Sequence, residues 1–582
     1  MKLLANLICA IKNKGKRKIF DIQPITGKAI KVIEVDLRKD RYIKQFTYKR
    51  LISFAAICIL FILLISSLNL IQKGLEIKGK VLGTNISVHE QLDLVQKAIP
   101  KINPARKEFM RGINLEKLPA LVENLRNISK AAPIIAEALG ESRPQKYLLI
   151  FQNNQEMRAT GGFIGTYGIL DIKEGKIKNL FIDGVYNADG QLLEKIIPPE
   201  PIKKISASWS MHDANWFPDW PTSASKIVSF YEKTGGATPD GVISFTPTAI
   251  EKILDVTGPI EMPEYNLVIN SGNFIETIQW QTEKGYDKKL NQPKKILADF
   301  APKLLNKISN LETKKMFEIL RALEEALEEK HILIFSLDPK IQNFITEKGW
   351  AGQVLKTDKD YLSVINSNIN GYKTDGVIDE RIEHLSEIQP DGTIIDTVII
   401  TRRHNGGNSV YDWYNKVNCD WMRVYVPQGS ELLEAQGHTI EKIQTLKEGS
   451  DYPYFEKDPL VSEIEATMIV DEASGTKIFQ ESGKTVFANW VFVSPGETVT
   501  VVYKYKLPFK IDFSQPADSW SLLVQKQSGS LGSKFKGGIK IPEDLKIIWR
   551  YPDQLIVNSQ QLTISSDLKT DRFYGVVLQT IN

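Results

Sequence analysis

A chain of 582 residues is too long for one hydrophobic core, and its length indicates about three or four domains. Its hydrophobic content of 42% and charged content of 25% are ordinary for a globular protein. The net charge of +4 is unevenly spread, because residues 1–50 carry 14 Lys and Arg against 4 Asp and Glu. The remaining chain is net acidic, so we expect no nucleic-acid partner.

An uncharged apolar segment, LISFAAICILFILLISSLNLI, follows the basic tail at residues 51–71. As a helix that rises about 1.5 Å per residue, it would cover the ~30 Å of a bilayer core. Basic residues between Arg38 and Arg50 precede it, so the positive-inside rule places residues 1–50 in the cytoplasm and 72–582 outside. We therefore expect a single-pass protein of the cytoplasmic membrane. A buried core helix is the alternative; a cleavable signal peptide would be shorter and closer to the N-terminus.

The next residues predict a helical stalk, and the positions of the cysteines predict an exported part without disulfides. Residues 72–140 carry apolar side chains at helical spacing, which is typical of an extracytoplasmic helical stalk. Cys9 and Cys58 lie in the tail and in the apolar segment, so Cys419 is the single cysteine of the exported part. No intramolecular disulfide is expected there.

Strand-like and helix-like segments alternate after the stalk, which predicts a layered α/β domain over residues 141–390. Its opening stretch, Tyr147–Leu170, reads as two buried strands joined by a polar turn that contains Gly161 and Gly162. Further predicted strands are Lys176–Gly184, Gly241–Pro247 and His331–Leu337, and predicted helices are Thr222–Tyr231, Thr248–Leu254, Pro293–Ile308 and Leu311–Lys330.

Polar side chains gather at the turn between the first two predicted strands. Asn153, Asn154, Glu156 and Arg158 follow the first strand and would lie at one edge of the sheet. Open α/β sheets usually bind ligands at such an edge. We therefore take these residues as candidate ligand contacts. The alternative is that they only hold the backbone of the turn.

A second candidate site is the tryptophan-rich loop SWSMHDANWFPDWP, residues 208–221. Aromatic walls with a few oriented polar groups are typical of binding loops, which makes His212, Asn215, Trp216 and Trp220 candidate ligand-binding residues. Tryptophans that fill a core are the alternative interpretation.

A divalent cation is a further possibility for the same region. Asp183, Asp213 and Asp219 are the carboxylates that would suit a hard ion such as Mg²⁺, although their spacing does not show that they converge. No other cofactor is indicated. The sequence contains no HExxH, GxSxG, CxxC or complete phosphate-binding loop motif.

Several segments resemble a known bacterial envelope family, the domain of unknown function 4012. They include FQNNQEMRATGGFIGTYG, DANWFPDWPTSA and TPDGVISFTPTAIEKILDVTGPI, and the resemblance covers roughly residues 145–385. A weaker similarity runs to the LytR-CpsA-Psr family, membrane-anchored enzymes that move glycopolymers from a polyprenyl-pyrophosphate carrier onto the cell wall. That similarity implies a LytR-CpsA-Psr-like α/β fold, with Arg158 gripping the pyrophosphate and Asp183 holding magnesium as the catalytic residues.

This chain departs from the LytR-CpsA-Psr pattern at one place. The family's later arginine-rich helix is replaced by lysines, Lys288, Lys289, Lys294 and Lys295. Lysine does not make the two-pronged contact with phosphate that arginine makes, which argues against catalysis.

From about Gly392 the pattern changes to alternating apolar and polar residues, which predicts an all-β, Ig-like sandwich over residues 391–582. The segment Ser363–Asp379 reads as the connection to it. The predicted strands are Thr393–Thr401, Trp421–Val426, Glu463–Val470, Thr485–Val493 and Thr498–Tyr505, followed by a β-rich stretch over Ser519–Gln579.

Two functions fit this organisation. One is a non-catalytic envelope protein that binds cell-wall polymer or another protein; the other is a phosphotransferase that acts on a polyprenyl-pyrophosphate glycan. The phosphotransferase requires Arg158, Asp183 and either Asp213 or Asp219 to face a common cleft. The arrangement of these side chains in space therefore separates the two functions.

Overall fold

The computed structural model describes residues 131, 133–440, 454–558 and 560–581. The predicted basic tail, the membrane segment and nearly all of the stalk lie outside these residues. Within the described part of the chain, no helix is both long enough and apolar enough to cross a membrane. All of these residues belong to one compact unit.

The first part of the described chain alternates strands and helices, as predicted. In chain order its elements are β1 (Gln145–Asn153), β2 (Phe163–Lys173), β3 (Lys176–Gly184), α1 (Val185–Asp189), β4 (Ile196–Ile197), α2 (Trp220–Lys233), β5 (Gly241–Phe245), α3 (Pro247–Thr257), β6 (Ile260–Met262), β7 (Leu267–Ile269), α4 (Phe274–Trp280), α5 (Lys295–Ser309), α6 (Thr313–Glu328), β8 (Ile332–Ser336) and α7 (Pro339–Glu347). Short 3₁₀ turns at Glu200–Lys204 and Met211–Asp213 and a π turn at Gln281–Gly285 interrupt the connections.

Five of these strands form a mixed sheet in the order β3-β2-β1-β5-β8. Strand β1 pairs antiparallel with β2 and parallel with β5, where Tyr147 lies opposite Gly241 and Phe151 opposite Phe245. Because β1 and β5 are parallel, their carboxyl ends meet at one edge of the sheet. That edge is where the predicted polar turn begins.

The turn after β1 requires glycine. Gly161 and Gly162 have φ angles of 141° and 149°, a region that side chains with a Cβ rarely adopt. A Cβ on Gly162 would lie 2.1 Å from the carbonyl oxygen of Asn153, so the returning chain passes too close to β1 for any other residue. The predicted role of the two glycines is confirmed.

The rest of the chain is rich in strands, as predicted. It contains β9 (Asp360–Ile365), β10 (Ile378–Ile388), β11 (Thr393–His404), β12 (Asn418–Pro427), β13 (Glu431–Gln436), β14 (Glu456–Lys457), α8 (Pro459–Ala466), β15 (Ile469–Val470), β16 (Lys477–Glu481), β17 (Lys484–Val493), β18 (Thr498–Lys510), β19 (Ala517–Val524), β20 (Lys534–Lys540), β21 (Leu545–Tyr551), β22 (Ile556–Asn558), β23 (Gln561–Asp567) and β24 (Arg572–Thr580).

Two large sheets result, a seven-stranded sheet in the order β13-β18-β11-β10-β20-β23-β22 and an eight-stranded sheet in the order β15-β16-β17-β12-β9-β19-β24-β21. Alternate side chains of the two sheets share one hydrophobic core, for example Leu362 and Val364 on β9 with Val398 and Ile400 on β11. Most pairings are antiparallel, but β9 pairs parallel with β19 and β10 parallel with β20. Both sheets include a strand that precedes residue 391.

One predicted strand is wrong. The first half of the segment predicted as the strand Glu463–Val470 belongs to the helix α8, and only Ile469–Val470 is a strand. Asp458 caps this helix by accepting hydrogen bonds from the backbone N–H groups of Leu460 and Val461, both at 3.1 Å. The apolar residues of the segment therefore follow a helical spacing that starts earlier than the predicted strand.

The eight-stranded sheet also covers the α/β part of the chain. Its residues Trp421 and Tyr425 face away from the partner sheet and share a core with Leu148 and Ile150 of β1. The α/β sheet, the tryptophan-rich loop and the β-rich region thus bury a common apolar interior.

Candidate functional site

Arg158 is buried and fully engaged by the protein. Its side chain is 2% exposed, and its Nε donates to Asp213 Oδ1 at 3.1 Å. One Nη donates to the carbonyl oxygens of Met157 and Asn368, and the other lies 3.5 Å from Glu156 Oε1. The guanidinium group therefore has its charge balanced and its donors occupied without a ligand.

Asp213 joins Arg158 to His212. The imidazole Nδ1 of His212 lies 2.7 Å from Asp189 Oδ2, and its Nε2 lies 3.3 Å from Asp213 Oδ2. Burial alone lowers the pKa of His212, but hydrogen bonds to Asp189 and Asp213 outweigh it and raise the pKa to about 9. Burial likewise raises the pKa of Asp213, but Arg158 and His212 lower it to about 2. Both groups are therefore charged at neutral pH.

Glu156 extends this charge network in the other direction. Its second oxygen lies 3.0 Å from Lys373 Nζ, and Lys373 also lies 3.4 Å from Glu283. Glu156, Arg158, His212 and Asp213 are thus brought together, although the sequence presents them in two separate candidate sites. They form a chain of buried ion pairs, however, and the carboxylates face cations of the protein.

The predicted asparagines form hydrogen bonds within the protein. Asn153 Oδ1 accepts from the backbone N–H of Gln155 at 3.1 Å, which closes the turn after β1. Asn154 Nδ2 donates to Thr248 and to the carbonyl of Gly529, each at 3.0 Å. Asn215 Nδ2 donates to Gln152 at 2.6 Å and to the carbonyl of Gly162 at 2.8 Å. These side chains therefore hold backbone, as in the alternative interpretation, but Asn153 also lines the cleft at this edge of the sheet that is described below.

The tryptophan-rich loop is part of the core, which is the second alternative that the sequence left open. Trp220 is fully buried and Trp216 is 8% exposed. The Arg423 guanidinium stacks 4.4 Å above the centre of the Trp216 ring and donates to the Trp216 carbonyl at 2.9 Å. Neither ring is available as an aromatic wall for a ligand.

The three predicted metal ligands do not converge. Asp213 pairs with Arg158 and His212, Asp183 accepts from Gly184 and Asn187, and Asp219 caps helix α2 through Thr222 and binds the N–H of Val354. Within the described residues, the one group of three metal-ligand side chains close enough to share an ion is Asp360, His384 and Asp396. The predicted magnesium site is therefore wrong, because each carboxylate is used by a different local structure.

An open cleft does lie at the predicted edge of the sheet. It has a cavity volume of about 90 Å³ and is bounded by the ends of β1 and β5, the start of β2 and helices α3, α4 and α5. Its apolar lining consists of Phe151, Phe245, Pro247, Ile250, Phe274, Ile275, Ile278 and Leu297. Arg158, Asp183, Asp213 and Asp219 are not among the residues that line it. The common cleft that the phosphotransferase requires is therefore not formed by these residues.

Lys294 is the one charged residue that lines the cleft. Its ammonium group lies next to Gly165 of β2. A Cβ atom placed on Gly165 would be 3.6 Å from the Lys294 Nζ. Among the described residues it has no ion-pair partner. Burial lowers the pKa of Lys294, with added repulsion from Lys373, while Glu283 opposes the shift. The sequence had singled out Lys294 only as a replacement for arginine; its placement in an apolar cleft carries no local signature.

The fold defines a protein with an α/β domain, which has an apolar cleft at the edge of its sheet and packs against a β-rich region. Residues 142–282 match the family model described as Protein of unknown function (DUF4012). This confirms the resemblance over that stretch, which holds β1 to β7, the tryptophan-rich loop and part of the cleft. The match ends well before residue 385.

Other comparisons give little further information. No curated protein matches the chain significantly. Among solved structures it is similar to protein gbs0355 from Streptococcus agalactiae, at 13% identity and a TM-score of 0.24, over 37% of this chain and 76% of that one. It is also similar to Lin1025 from Listeria innocua, at 15% identity and a TM-score of 0.20, over 36% of this chain and 78% of that one. Similarities this weak say nothing about function.

Proposed function

We propose that the chain is a non-catalytic binding protein of the cell envelope, held by one transmembrane helix with its α/β and β-rich parts outside the cytoplasmic membrane. The uncharged segment 51–71 and the basic residues that precede it support this topology. The β-rich region, an Ig-like sandwich in this proposal, acts as a rigid support, because it shares a core with the α/β sheet. A membrane-anchored protein of this kind meets lipid-linked precursors of wall polymers at the surface where they are presented.

The ligand of the cleft is an amphiphile with an apolar chain and an anionic head, of the polyprenyl-pyrophosphate class. The observation that carries this assignment is Lys294, an ammonium group without an ion-pair partner among the described residues, set in an apolar lining. A phosphate head would give Lys294 a direct ion-pair partner, since Glu283 and Glu156 act on it only at longer range, and the apolar lining would cover the first part of the prenyl chain. The carboxyl edge of β1 and β5 is also where α/β sheets usually bind ligands.

Binding is favoured over phosphotransfer because of where the predicted catalytic groups lie. The guanidinium group of Arg158 donates its hydrogen bonds to acceptors of the protein, and Asp183 accepts hydrogen bonds from Gly184 and Asn187. Neither lines the cleft. A pyrophosphate in the cleft would therefore meet one lysine and no arginine fork, and the residues that could stabilise a departing phosphate are not assembled around it.

A binding experiment with a short prenyl pyrophosphate tests this proposal. The full chain is placed in nanodiscs and titrated with farnesyl pyrophosphate, with empty nanodiscs as the correction for partition into lipid. We expect saturable binding that weakens about tenfold or more in Lys294→Met, because a charge-assisted contact contributes about 1.5–3 kcal/mol. Inorganic pyrophosphate has only the anionic head and farnesol has only the apolar chain, so each should bind more weakly than farnesyl pyrophosphate.

The matched control is the neighbouring lysine. Lys295 is exposed and pairs with Asp299 at 2.6 Å, so Lys295→Met changes the same net charge outside the cleft and should bind like the wild type. Equal affinities of wild type and Lys294→Met, or no binding by the wild type, would show that the cleft is not the site. Release of farnesyl monophosphate, with the other phosphate transferred to the hydroxyl of an acceptor glycan, would instead support the phosphotransferase.

A further inference from the structure

A second group of polar side chains lies in the core between the two large sheets, away from the cleft. Asp360 begins β9 in the eight-stranded sheet, and His384 and Asp396 lie on β10 and β11 in the seven-stranded sheet. All three are at most 2% exposed. His384 Nε2 lies 3.4 Å from Asp396 Oδ2 and 3.7 Å from Asp360 Oδ2. The group therefore bridges the two sheets.

The strand registers explain why these side chains meet. Ser386 lies opposite Asp396 on β11, and Asp396 lies opposite Tyr505 on β18, so the three form one row across the seven-stranded sheet. His384 is two residues before Ser386 and points to the same buried face. Asp360 meets this row from the opposite sheet.

These polar atoms have no hydrogen bonds of ordinary length and angle, although Asp396 is near enough to Asp360 and to Tyr505 to add to burial in raising the pKa of both. Within the described part of the chain, no partner is found for Asp360 Oδ2, His384 Nδ1, His384 Nε2, Ser386 Oγ, Asp396 Oδ1, Asp396 Oδ2 and Tyr505 Oη. Buried polar atoms are nearly always satisfied, and leaving even one unpaired costs about 1–3 kcal/mol. Seven such atoms around one point in an apolar core indicate that they bind something other than the chain.

The spacing fits a metal ion better than hydrogen bonds. Hydrogen bonds to nitrogen usually span about 2.7–3.2 Å, which is shorter than both distances at His384 Nε2. Zinc ligands at about 2.0–2.2 Å in tetrahedral arrangement lie roughly 3.3–3.6 Å from one another. The separations of 3.4 and 3.7 Å are therefore close to the edges of a zinc polyhedron.

The chemistry of the donors points in the same direction. Imidazole nitrogen with carboxylate oxygen is a usual donor set for zinc, whereas calcium and magnesium take oxygen donors. Two carboxylates also balance the charge of a divalent ion in a place that water does not reach. The other oxygen of Asp360 accepts from the N–H of Tyr361 at 2.7 Å, which orients that carboxylate.

We propose that Asp360, His384 and Asp396 bind one divalent transition-metal ion of the zinc type, which joins the two sheets of the β-rich region. The role is structural, because the three residues are buried and lie outside the cleft, and the buried hydroxyl of Ser386 or Tyr505 beside Asp396 would supply the fourth tetrahedral ligand. The proposal is independent of the proposed ligand of the cleft, since it concerns different residues and a different measurement.

Metal content is the direct test. The full chain is loaded with Zn²⁺, freed of unbound metal by dialysis and analysed by mass spectrometry of its metals. We expect one zinc per chain in the wild type and a loss of that zinc in His384→Gln and in Asp396→Asn. His438→Gln is the matched control, because His438 contacts the Ser474 carbonyl at 2.7 Å far along the chain from the group, and it should keep the ion.

Two results would overturn the proposal: a wild-type chain that retains no zinc, or variants at His384 and Asp396 that retain as much as the wild type. The latter would leave the three residues as a hydrogen-bonded group that shares protons. If the variants do not fold, X-ray absorption of the zinc-loaded wild type decides. A shell of nitrogen and oxygen at about 2.0–2.2 Å with one imidazole supports the site, and sulfur or several imidazoles contradict it.

Discussion

Arg158 Nε donates to Asp213 Oδ1 at 3.1 Å, and neither side chain is more than 2% exposed. The pair joins the turn after β1 to the tryptophan-rich loop, two segments that the sequence presents as separate sites. Taking two charges out of water is costly, and the cost is offset here by the further acceptors of Arg158 and by His212 beside Asp213. Removal of one partner would leave the other charged and buried.

Arg158→Lys should therefore reduce stability. Lysine keeps the charge but cannot reach Asp213, Glu156 and the Asn368 carbonyl together, and we expect the free energy of unfolding to fall by about 3 kcal/mol. Urea unfolding measures this loss. Arg143→Lys is the control, because Arg143 is 53% exposed and pairs with Asp240, so its loss should be below about 1 kcal/mol. A ligand affinity that falls while stability is unchanged would contradict this interpretation of Arg158.

His212 should make stability depend on pH. Its folded-state pKa of about 9 exceeds the ordinary value of 6.5, so its contribution is fully present below about pH 6.5 and is lost as the pH rises through 9. The difference in melting temperature between the wild type and His212→Gln should therefore shrink between pH 6.5 and 9. His438→Gln, measured in parallel, is the control for the loss of an imidazole elsewhere in the chain. A constant difference for His212→Gln would show that folding does not raise the pKa of the imidazole.

Asp219 should act as a helix cap and not as a metal ligand. Asp219→Ala removes the acceptor for Thr222 and for the N–H of Val354, so we expect a loss of about 2 kcal/mol. Asp338→Ala, which removes the corresponding cap of α7, should cost about 1 kcal/mol. Differential scanning calorimetry with and without Mg²⁺ checks both points, and stabilisation by Mg²⁺ that disappears in Asp219→Ala would contradict the cap.

Trp216 should stabilise the α/β and β-rich parts together. Trp216→Ala removes a buried ring and the surface on which Arg423 of β12 stacks, and we expect a loss of about 3–5 kcal/mol. Hydrogen exchange followed by mass spectrometry should show faster exchange in β12 as well as in the loop. Faster exchange confined to the loop would show that the two parts are not coupled through this contact.

The proposed topology predicts which part of the chain protease reaches. Protease added to intact protoplasts should digest residues 72–582 and leave a fragment that contains residues 1–50. Survival of the large C-terminal portion under conditions that digest a known exported protein would contradict the topology. Lysis before digestion is the control that exposes the remaining fragment.

The sequence alone determined most of the elements, because hydrophobic periodicity and turn residues are local properties. The predicted strand Lys176–Gly184 matches β3 at both ends, and the predicted pair within Tyr147–Leu170 is the antiparallel pair β1 and β2. The family resemblance was likewise carried by contiguous motifs and is confirmed over residues 142–282. The prediction from local periodicity was wrong at Glu463–Val470, where the end of a capped helix was interpreted as part of a strand.

Only the tertiary structure decided what the polar residues do. Arg158 is closed off by the carbonyl of Asn368, 210 residues further along the chain, and no local pattern reports such a contact. Lys294 lines the cleft for the same reason, since the strand ends and the helices that surround it come from distant segments. His384 and Asp396 meet through the register of two paired strands, and Asp360 reaches them only because the two sheets pack face to face. The partners of a charge are set by which segments meet on folding, and its burial sets whether a ligand or the protein itself must balance it.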